Sequence, residues 1–424
     1  MIFRLLFISW LCFSALVTWA KEKPVEIILW HSFAGQLGHE VQQLVSRFNK
    51  SQEEYQVKPV YKGDYLETLT SFAAAFRAKQ PPALVQVFEV GMPTMLSPRG
   101  IIKPLHELMA EQKMNLPLES FYPAIRTYYS ENGHLKAMPF NSSVPVIFYN
   151  ADALAKAGYS NQPFPKTWEE LELLAADLRK AGYPCAFTSA HPAWVLIESF
   201  AAIHGLPMLT EDNTQAVYNQ KPMIEHLERL LRWQQAHYFE YGGRGDDPTI
   251  LFTSGRCPLF SQSSGGYNSL KSMVSFPMGI APLPLDQKIS PVRFNNVTGG
   301  AALWAVAGHS SAVYQGVAAF FVFLAKPDVQ QTWHNNTGYL PLGVNGVYKS
   351  LAQGSQHPSL ALAQMEFTAV PRPPLRIQMQ IRRINDEALE GIFAGLKSPK
   401  AALDEAVARA THASVRFRRN TTIE

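Results

Sequence analysis

Met138-Pro139-Phe140-Asn141-Ser142-Ser143-Val144-Pro145-Val146-Ile147-Phe148-Tyr149-Asn150 is the stretch around which the chain is organised. Val146 to Tyr149 is a β-branched and aromatic run, which predicts a buried strand. Pro139 and Pro145 bracket the two serines, so the backbone between them is extended and cannot join a helix. Asp152 is placed to cap a helix starting near Ala153. The segment reads as a strand that leaves one lobe, crosses a gap and enters another, with Ser142 and Ser143 facing a cleft. A polar turn ahead of a core strand fits this stretch, taken alone, equally well.

On the N-terminal side, Val25–Leu29, Gln56–Tyr61 and Ala83–Phe88 read as strands. Between them, Gln36–Asn49 carries Leu37, Val41, Leu44, Val45 and Phe48 at helical spacing, and Leu66–Ala78 reads as a second helix. Alternating strands and helices imply a parallel sheet with crossover helices, whose ligands bind beyond the carboxyl ends of the strands. Ser32, Tyr65 and Glu89 each follow a strand and so belong to one rim.

On the C-terminal side the arrangement differs, but polar residues again follow strand ends, which reads as a second lobe with its own rim. Thr167 and Glu170 form a capping-box pair at the head of a helix. Pro184–Thr188 and Cys257–Ser261 read as strands, followed by His191-Pro192-Ala193-Trp194 and by Gln262-Ser263-Ser264-Gly265-Gly266. Met278–Leu283 reads as a strand going back. Gly299 and Gly300 enter an apolar strand and permit close backbone approach by a ligand or another chain. Ser311–Leu324 is a helix that Lys326-Pro327 ends, and two helices close the chain at Ile377–Phe393 and Pro399–Arg419.

Residues 1–20 stand apart. Arg4 leads an apolar run to Val17, and Thr18-Trp19-Ala20 ends on a small residue, the pattern of a secretory signal cleaved after Ala20. Leu11 before Cys12 argues against a lipid anchor, and no later stretch reaches about 18 uninterrupted apolar residues. The expected mature chain is exported to the periplasm and soluble, and is long enough for two domains. A formal net charge of +4 gives no case for nucleic acid. Beyond the signal only Cys185 and Cys257 remain, candidates for one disulfide in an oxidising compartment.

Catalytic and cofactor patterns are missing from the sequence. There is no His-Glu-x-x-His, Cys-x-x-Cys, phosphate loop or dinucleotide fingerprint. Gln262-Ser263-Ser264-Gly265-Gly266 is not the Gly-x-Ser-x-Gly of a nucleophile elbow. The histidines make no metal pair by spacing. The expectation is no enzyme, no cofactor and no metal.

Phe323-Leu324-Ala325-Lys326-Pro327 through Thr337-Gly338-Tyr339-Leu340-Pro341 resembles the signature of the extracellular solute-binding proteins of the maltose-binding type, which serve ABC importers. The resemblance extends over nearly all of residues 25–420 and is nearest to the sn-glycerol-3-phosphate-binding branch. It is carried by Trp30-His31-Ser32, Tyr61-Lys62-Gly63-Asp64-Tyr65, Glu89-Val90-Gly91, Pro139-Phe140-Asn141-Ser142-Ser143, Ser263-Ser264-Gly265 and Gln380-Ile381-Arg382. It implies an α/β fold of two lobes, the type II periplasmic binding protein fold, each lobe a mainly parallel sheet flanked by helices, with a hinge between them. The implied division is 1–20 signal peptide, 21–141 and 282–330 one lobe, 142–281 and 331–424 the other. The implied partners are a small-molecule ligand and the membrane permease subunits of an importer with a cytoplasmic ATPase, and the implied state is a monomer.

The resemblance also carries a ligand site: Tyr65, Glu89, Ser143, Trp194, Ser263, Gly300, Tyr339 and Arg382. Arg382 offers a bidentate fork to phosphate oxygens. Ser143, Ser263, Tyr65 and Tyr339 offer hydroxyls, Gly300 a backbone N–H, and Trp194 an apolar wall. Glu89 would accept from glycerol hydroxyls at the end of the ligand away from the phosphate. Tyr65, Glu89 and Gly300 are assigned to the first lobe, and Ser143, Trp194, Ser263, Tyr339 and Arg382 to the second. The family's Trp-x-x-Trp is here His191-Pro192-Ala193-Trp194, so His191 either bears on ligand specificity or is a rim residue without ligand contact. The expected ligands are sn-glycerol-3-phosphate or a glycerophosphodiester such as glycerophosphocholine. The alternative is an oligosaccharide, which would rely on stacked aromatic side chains.

Overall fold

A computed structural model describes residues 23–96, 99–160, 162–343 and 377–421. The signal-like segment lies outside the described residues. Two large sheets form, each packed on a hydrophobic core, beside a small antiparallel pair of Ser130–Glu131 with His134–Leu135. The first contains β1 (Val25–His31), β2 (Tyr55–Tyr61), β3 (Leu84–Phe88), β4 (Met138–Pro139) and a strand supplied much later by Ala301–Ala305. The second contains β5 (Pro145–Asn150), β6 (Phe187–Ser189), β7 (Leu259–Ser263) and β8 (Met278–Pro282). With Ala301–Ala305 named β9, the orders are β2-β1-β3-β9-β4 and β8-β5-β7-β6.

In the first sheet β1 pairs parallel with β2 and β3, whereas β9 pairs antiparallel with β3 and β4. In the second, β6 and β7 are parallel, and β5 is antiparallel to β7 and β8. Each sheet therefore has one reversed strand, and in each case it is the strand that arrives from the other lobe. The cleft lies at the carboxyl ends of the other strands, so a chain entering from the cleft must run the opposite way.

Local chemistry explains the elements. In the helix Gly35–Lys50 the buried residues Val41, Leu44, Val45 and Phe48 form one stripe, with Arg47 and Lys50 in its last turn. Capping boxes start Tyr65–Arg77, through Asp64 and Glu67, and Trp168–Lys180, through Thr167 and Glu170. In β5, Ile147 faces one core and Val146 and Phe148 a different one, as a period of two requires. The cap of the next helix is Asn150, not Asp152: Asn150 is still extended, and its Oδ1 accepts from the Ala153 N–H at 3.0 Å. Pro327 starts a helix, Pro327–Thr337, where the sequence reading has only the end of the preceding one. Its missing N–H is tolerated in the first turn, and Gly338 at φ +84° closes the helix.

Two boundaries differ from expectation. Leu283 packs in the second core with Ile289 and Val297 against it, so the return to the first lobe comes at Gly299–Gly300 and not at 282. Trp333, Tyr339 and Leu342 pack in the first core, past the division expected at 331. Residues 141–144, 298–300 and 339–342 therefore run side by side between the lobes. Ser143 and Gly299 exchange backbone hydrogen bonds at 3.0 and 2.8 Å, and the Leu340 N–H donates to Ser142 O at 2.8 Å. No single helix among the described residues is long and apolar enough to cross a membrane.

Candidate functional site

The carboxyl end of β3 delivers Glu89 into a short 3-10 turn, Glu89–Gly91, and the Glu89 N–H donates to Gly300 O at 2.9 Å. Across the cleft, the helix Gln378–Phe393 carries Arg382. The two side chains meet: Arg382 Nη1 donates to Glu89 Oε1 at 2.6 Å. Glu89 is therefore at the guanidinium and not at the far end of the site from it. The reason is that β3 ends directly opposite the first turns of the Arg382 helix.

The fork of Arg382 is also engaged. Its Nε and Nη2 donate to the two oxygens of Glu198 at 3.1 and 2.8 Å. Three of the five guanidinium N–H groups thus meet carboxylates. The side chains of Glu198, Glu89 and Arg382 are 2%, 7% and 21% exposed, so this cross-lobe cluster is shielded from water. Both carboxylates hold Arg382 protonated far above any accessible pH, against the opposing effect of burial. Tyr128 faces the same three charges, and burial followed by Glu89 pushes its hydroxyl well above the usual phenol range. Asp386, one turn after Arg382, is raised to about 6 by burial, with Arg244 and Arg382 opposing that rise.

Glu198 escaped the sequence reading. It lies on a π-helical turn, Ala193–Ser199, a winding that recurs at functional sites. The available signal was a single charge closing the apolar run Trp194-Val195-Leu196-Ile197.

A second cluster joins the hydroxyl-bearing residues. Asn141 Nδ2 donates to Tyr65 Oη at 2.9 Å, Gln86 Nε2 donates to Asn141 Oδ1 at 3.0 Å, and the Ser32 N–H donates to Gln86 Oε1 at 2.8 Å. Tyr339 shares hydrogen bonding with Asn141 and Tyr65, and burial raises both phenols. The Tyr65 ring stacks on Phe88 at 5.3 Å, and Tyr339 stacks between Phe33 at 5.8 Å and Trp333 at 6.2 Å. Tyr339 thus belongs to the first lobe's core, not the second's. It still reaches the second lobe, because a Cβ on Gly265 would lie 2.2 Å from its ring. Gln86 and Asn141 are further residues that the sequence reading did not select. The signal in the sequence for Gln86 was a lone polar residue in the otherwise apolar run Leu84–Phe88, which the structure buries completely.

The remaining expected residues line the crossing segments. Ser143 is buried in the backbone pair with Gly299. Trp194 is buried with its indole against Gly299, where a Cβ would lie 2.4 Å from Cζ2. Trp194 Nε1 and Ser142 Oγ find no hydrogen-bond partner among the described residues. Ser263 Oγ accepts from the Gly265 N–H at 3.2 Å. Gly300 sits at φ +99°, and a Cβ there would lie 1.9 Å from the Asn141 carbonyl oxygen. The close approach that requires glycine at 300 is thus made by the chain's own crossing segment. His191 lies at φ +43°, an uncommon conformation for a side-chain-bearing residue. Its Nε2 is 3.2 Å from Asp246 Oδ1, and its ring meets the edge of Trp194 at 6.3 Å. Cys185 and Cys257 are disulfide-bonded with Cα atoms 4.7 Å apart. They stand two residues before Phe187 and Leu259, which face each other in the parallel β6–β7 register.

Comparison with known proteins places these features in context. Residues 43–358 match the bacterial extracellular solute-binding protein family. The sn-glycerol-3-phosphate-binding periplasmic protein UgpB of Pectobacterium atrosepticum is 37% identical over 423 residues, covering 96% of this chain and 95% of that protein. UgpB of Salmonella typhimurium is 38% identical over 407 residues, covering 92% and 93%. Among solved structures, UgpB from Mycobacterium tuberculosis in complex with glycerophosphocholine superposes with a TM-score of 0.79 at 20% identity, covering 94% of this chain and 99% of that one. Maltose-bound MalE3 of T. maritima gives 0.74 at 18% identity, covering 93% and 100%. At such identities these two likenesses show the fold.

Proposed function

The chain belongs to the bacterial extracellular solute-binding proteins, and from that premise we propose that it is the periplasmic subunit of an ABC importer that captures glycerophosphates between two closing lobes. Its ligands are sn-glycerol-3-phosphate and glycerophosphodiesters such as glycerophosphocholine. Its task is binding and delivery to membrane permease subunits powered by a cytoplasmic ATPase, with no chemical step of its own.

The observation that carries this reading is the buried Arg382, held between the lobes by Glu89 of one and Glu198 of the other. A guanidinium so fixed presents its remaining N–H groups in a set direction, which suits phosphate oxygens. Ser143 and Ser263 supply hydroxyl donors from the second lobe, and Tyr65 and Tyr339 from the first. Trp194 gives the carbon chain an apolar wall. The second oxygen of Glu89 is available to a glycerol hydroxyl, so in this reading Glu89 both steadies Arg382 and meets the ligand. Relatives sharing more than a third of their residues over nearly the whole chain, and named for sn-glycerol-3-phosphate, support the same ligand class. An oligosaccharide fits less well, because it brings no anionic group for the buried guanidinium of Arg382.

Native mass spectrometry of the exported protein against glycerol phosphates, glycerophosphodiesters and maltodextrins tests the proposal. One glycerophosphate per chain is the expected result. A maltodextrin complex with no glycerophosphate complex would overturn it.

A further inference from the structure

The charge at the centre of the cleft is unusual for a phosphate site. One guanidinium faces two carboxylates, so the cluster of Glu89, Arg382 and Glu198 carries a formal charge of −1. Neighbouring groups do not reverse this. Asp386 lies within electrostatic reach of Arg382 and Glu198, and Arg244 beside it is bound by Glu390 at 2.6 and 2.5 Å. Tyr128 contributes no charge. The two carboxylates differ in what they can still do. Glu89 engages Arg382 through one oxygen, whereas both oxygens of Glu198 are taken by the guanidinium. Glu198, 2% exposed and bound through both oxygens to the guanidinium, bears on a ligand through the orientation of Arg382 and the net charge of the cluster.

We propose that Glu198 is a positioning and specificity residue that sets the cleft for monoanionic phosphodiesters over dianionic phosphomonoesters. This deepens the glycerophosphate reading and rests on it. A phosphomonoester carries between −1.5 and −2 near neutral pH, with a second pKa of about 6, and a diester carries a single charge. At an effective dielectric constant of about 20, one extra negative charge roughly 6–10 Å from a carboxylate weakens binding on the order of tenfold to a hundredfold. Without Glu198 the same arginine would favour the dianion. With it, the balance tips toward the diester.

The test is titration calorimetry at pH 8, where the monoester is a dianion, on wild type and Glu198→Gln. The probes are sn-glycerol-3-phosphate, its methyl diester and glycerophosphocholine. The methyl diester separates phosphate charge from any effect of choline. Wild type should bind the methyl diester at least tenfold more tightly than the monoester. In Glu198→Gln that ratio should fall by about tenfold, whatever happens to affinity overall, because a structural defect alone weakens both ligands alike. Equal wild-type affinities for monoester and methyl diester would overturn the inference, and so would an unchanged ratio in a folded variant. If Glu198→Gln does not fold, Glu198→Asp takes its place: keeping the charge, it should keep the diester-to-monoester ratio while weakening both ligands, and a ratio that falls tenfold with the charge retained would overturn the inference. If no probe binds wild type, the glycerophosphate reading fails and the inference falls with it. If all bind without discrimination, only the inference falls.

Discussion

Arg382 is the residue on which the two lobes converge. Arg382→Ala would leave Glu89 and Glu198 facing each other, two buried carboxylates without a cation. We expect a loss of glycerophosphate affinity of roughly 30- to 1000-fold by calorimetry. Arg382→Lys should recover only part, since one ammonium cannot hold Glu198 through a fork and Glu89 at once. Wild-type affinity in Arg382→Ala would remove the arginine from the site. A second prediction concerns buried histidines outside the site. His204 Nδ1 pairs with Phe200 O at 2.7 Å and Nε2 accepts from the Asp286 N–H at 2.7 Å, so the folded protein holds the neutral ring. Burial lowers His204 and His31 to about 4 from the ordinary 6.5. The unfolded chain therefore takes up protons first as pH drops. The contribution is complete above about pH 6.5 and is lost progressively toward pH 4. By linkage each histidine removes about 2 kcal/mol at pH 5 relative to neutral pH. Denaturant unfolding at pH 7.5 and 5 measures this, and equal stabilities would contradict it. Glu89 and Arg382 were singled out from the sequence, Glu89 by its place after a strand and Arg382 by the family resemblance at Gln380-Ile381-Arg382. Their mutual contact was not, because nothing local specifies which two motifs from different lobes will touch.

Among the elements, the strand pair β6–β7 carries a stabilising link placed by its own register. Cys185 and Cys257 extend that register by two residues and close a long loop. Replacing both with serine should lower unfolding stability by roughly 2–4 kcal/mol while leaving ligand affinity unchanged, since the cysteines precede strands whose far ends face the cleft. Unchanged denaturation, or a large loss of affinity, would contradict that separation. Strands and helices of the first lobe were legible because period two and period 3.6 are written in Ile27, Leu29, Val41, Leu44 and Phe48. The reversed direction of β5 and β9 was not, because it depends on where the chain crosses between lobes. The helix Pro327–Thr337 was hidden by a proline that can either end one helix or begin the next. Glu198 was hidden by its π-helical turn, whose side-chain facing the α-helical period does not describe.

In the whole molecule, three extended segments side by side form the hinge, and the Glu89–Arg382 ion pair bridges the cleft. Each lobe has its own core, so the lobes can move as bodies about these segments. A ligand that touches both lobes has extra contacts in the closed state and shifts the population toward it. Small-angle scattering should therefore show a smaller radius of gyration at saturating glycerophosphocholine than without ligand, and an unchanged radius would argue against closure. The central claim is that the cleft binds a glycerophosphate at Arg382, between the lobes. A crystal structure of the protein with glycerophosphocholine tests this most directly. It should show the phosphate within hydrogen-bonding distance of Arg382 and of at least one of Ser143 and Ser263, with Glu198 still on the guanidinium. A phosphate bound outside the cleft, or within it but away from Arg382, would contradict the account.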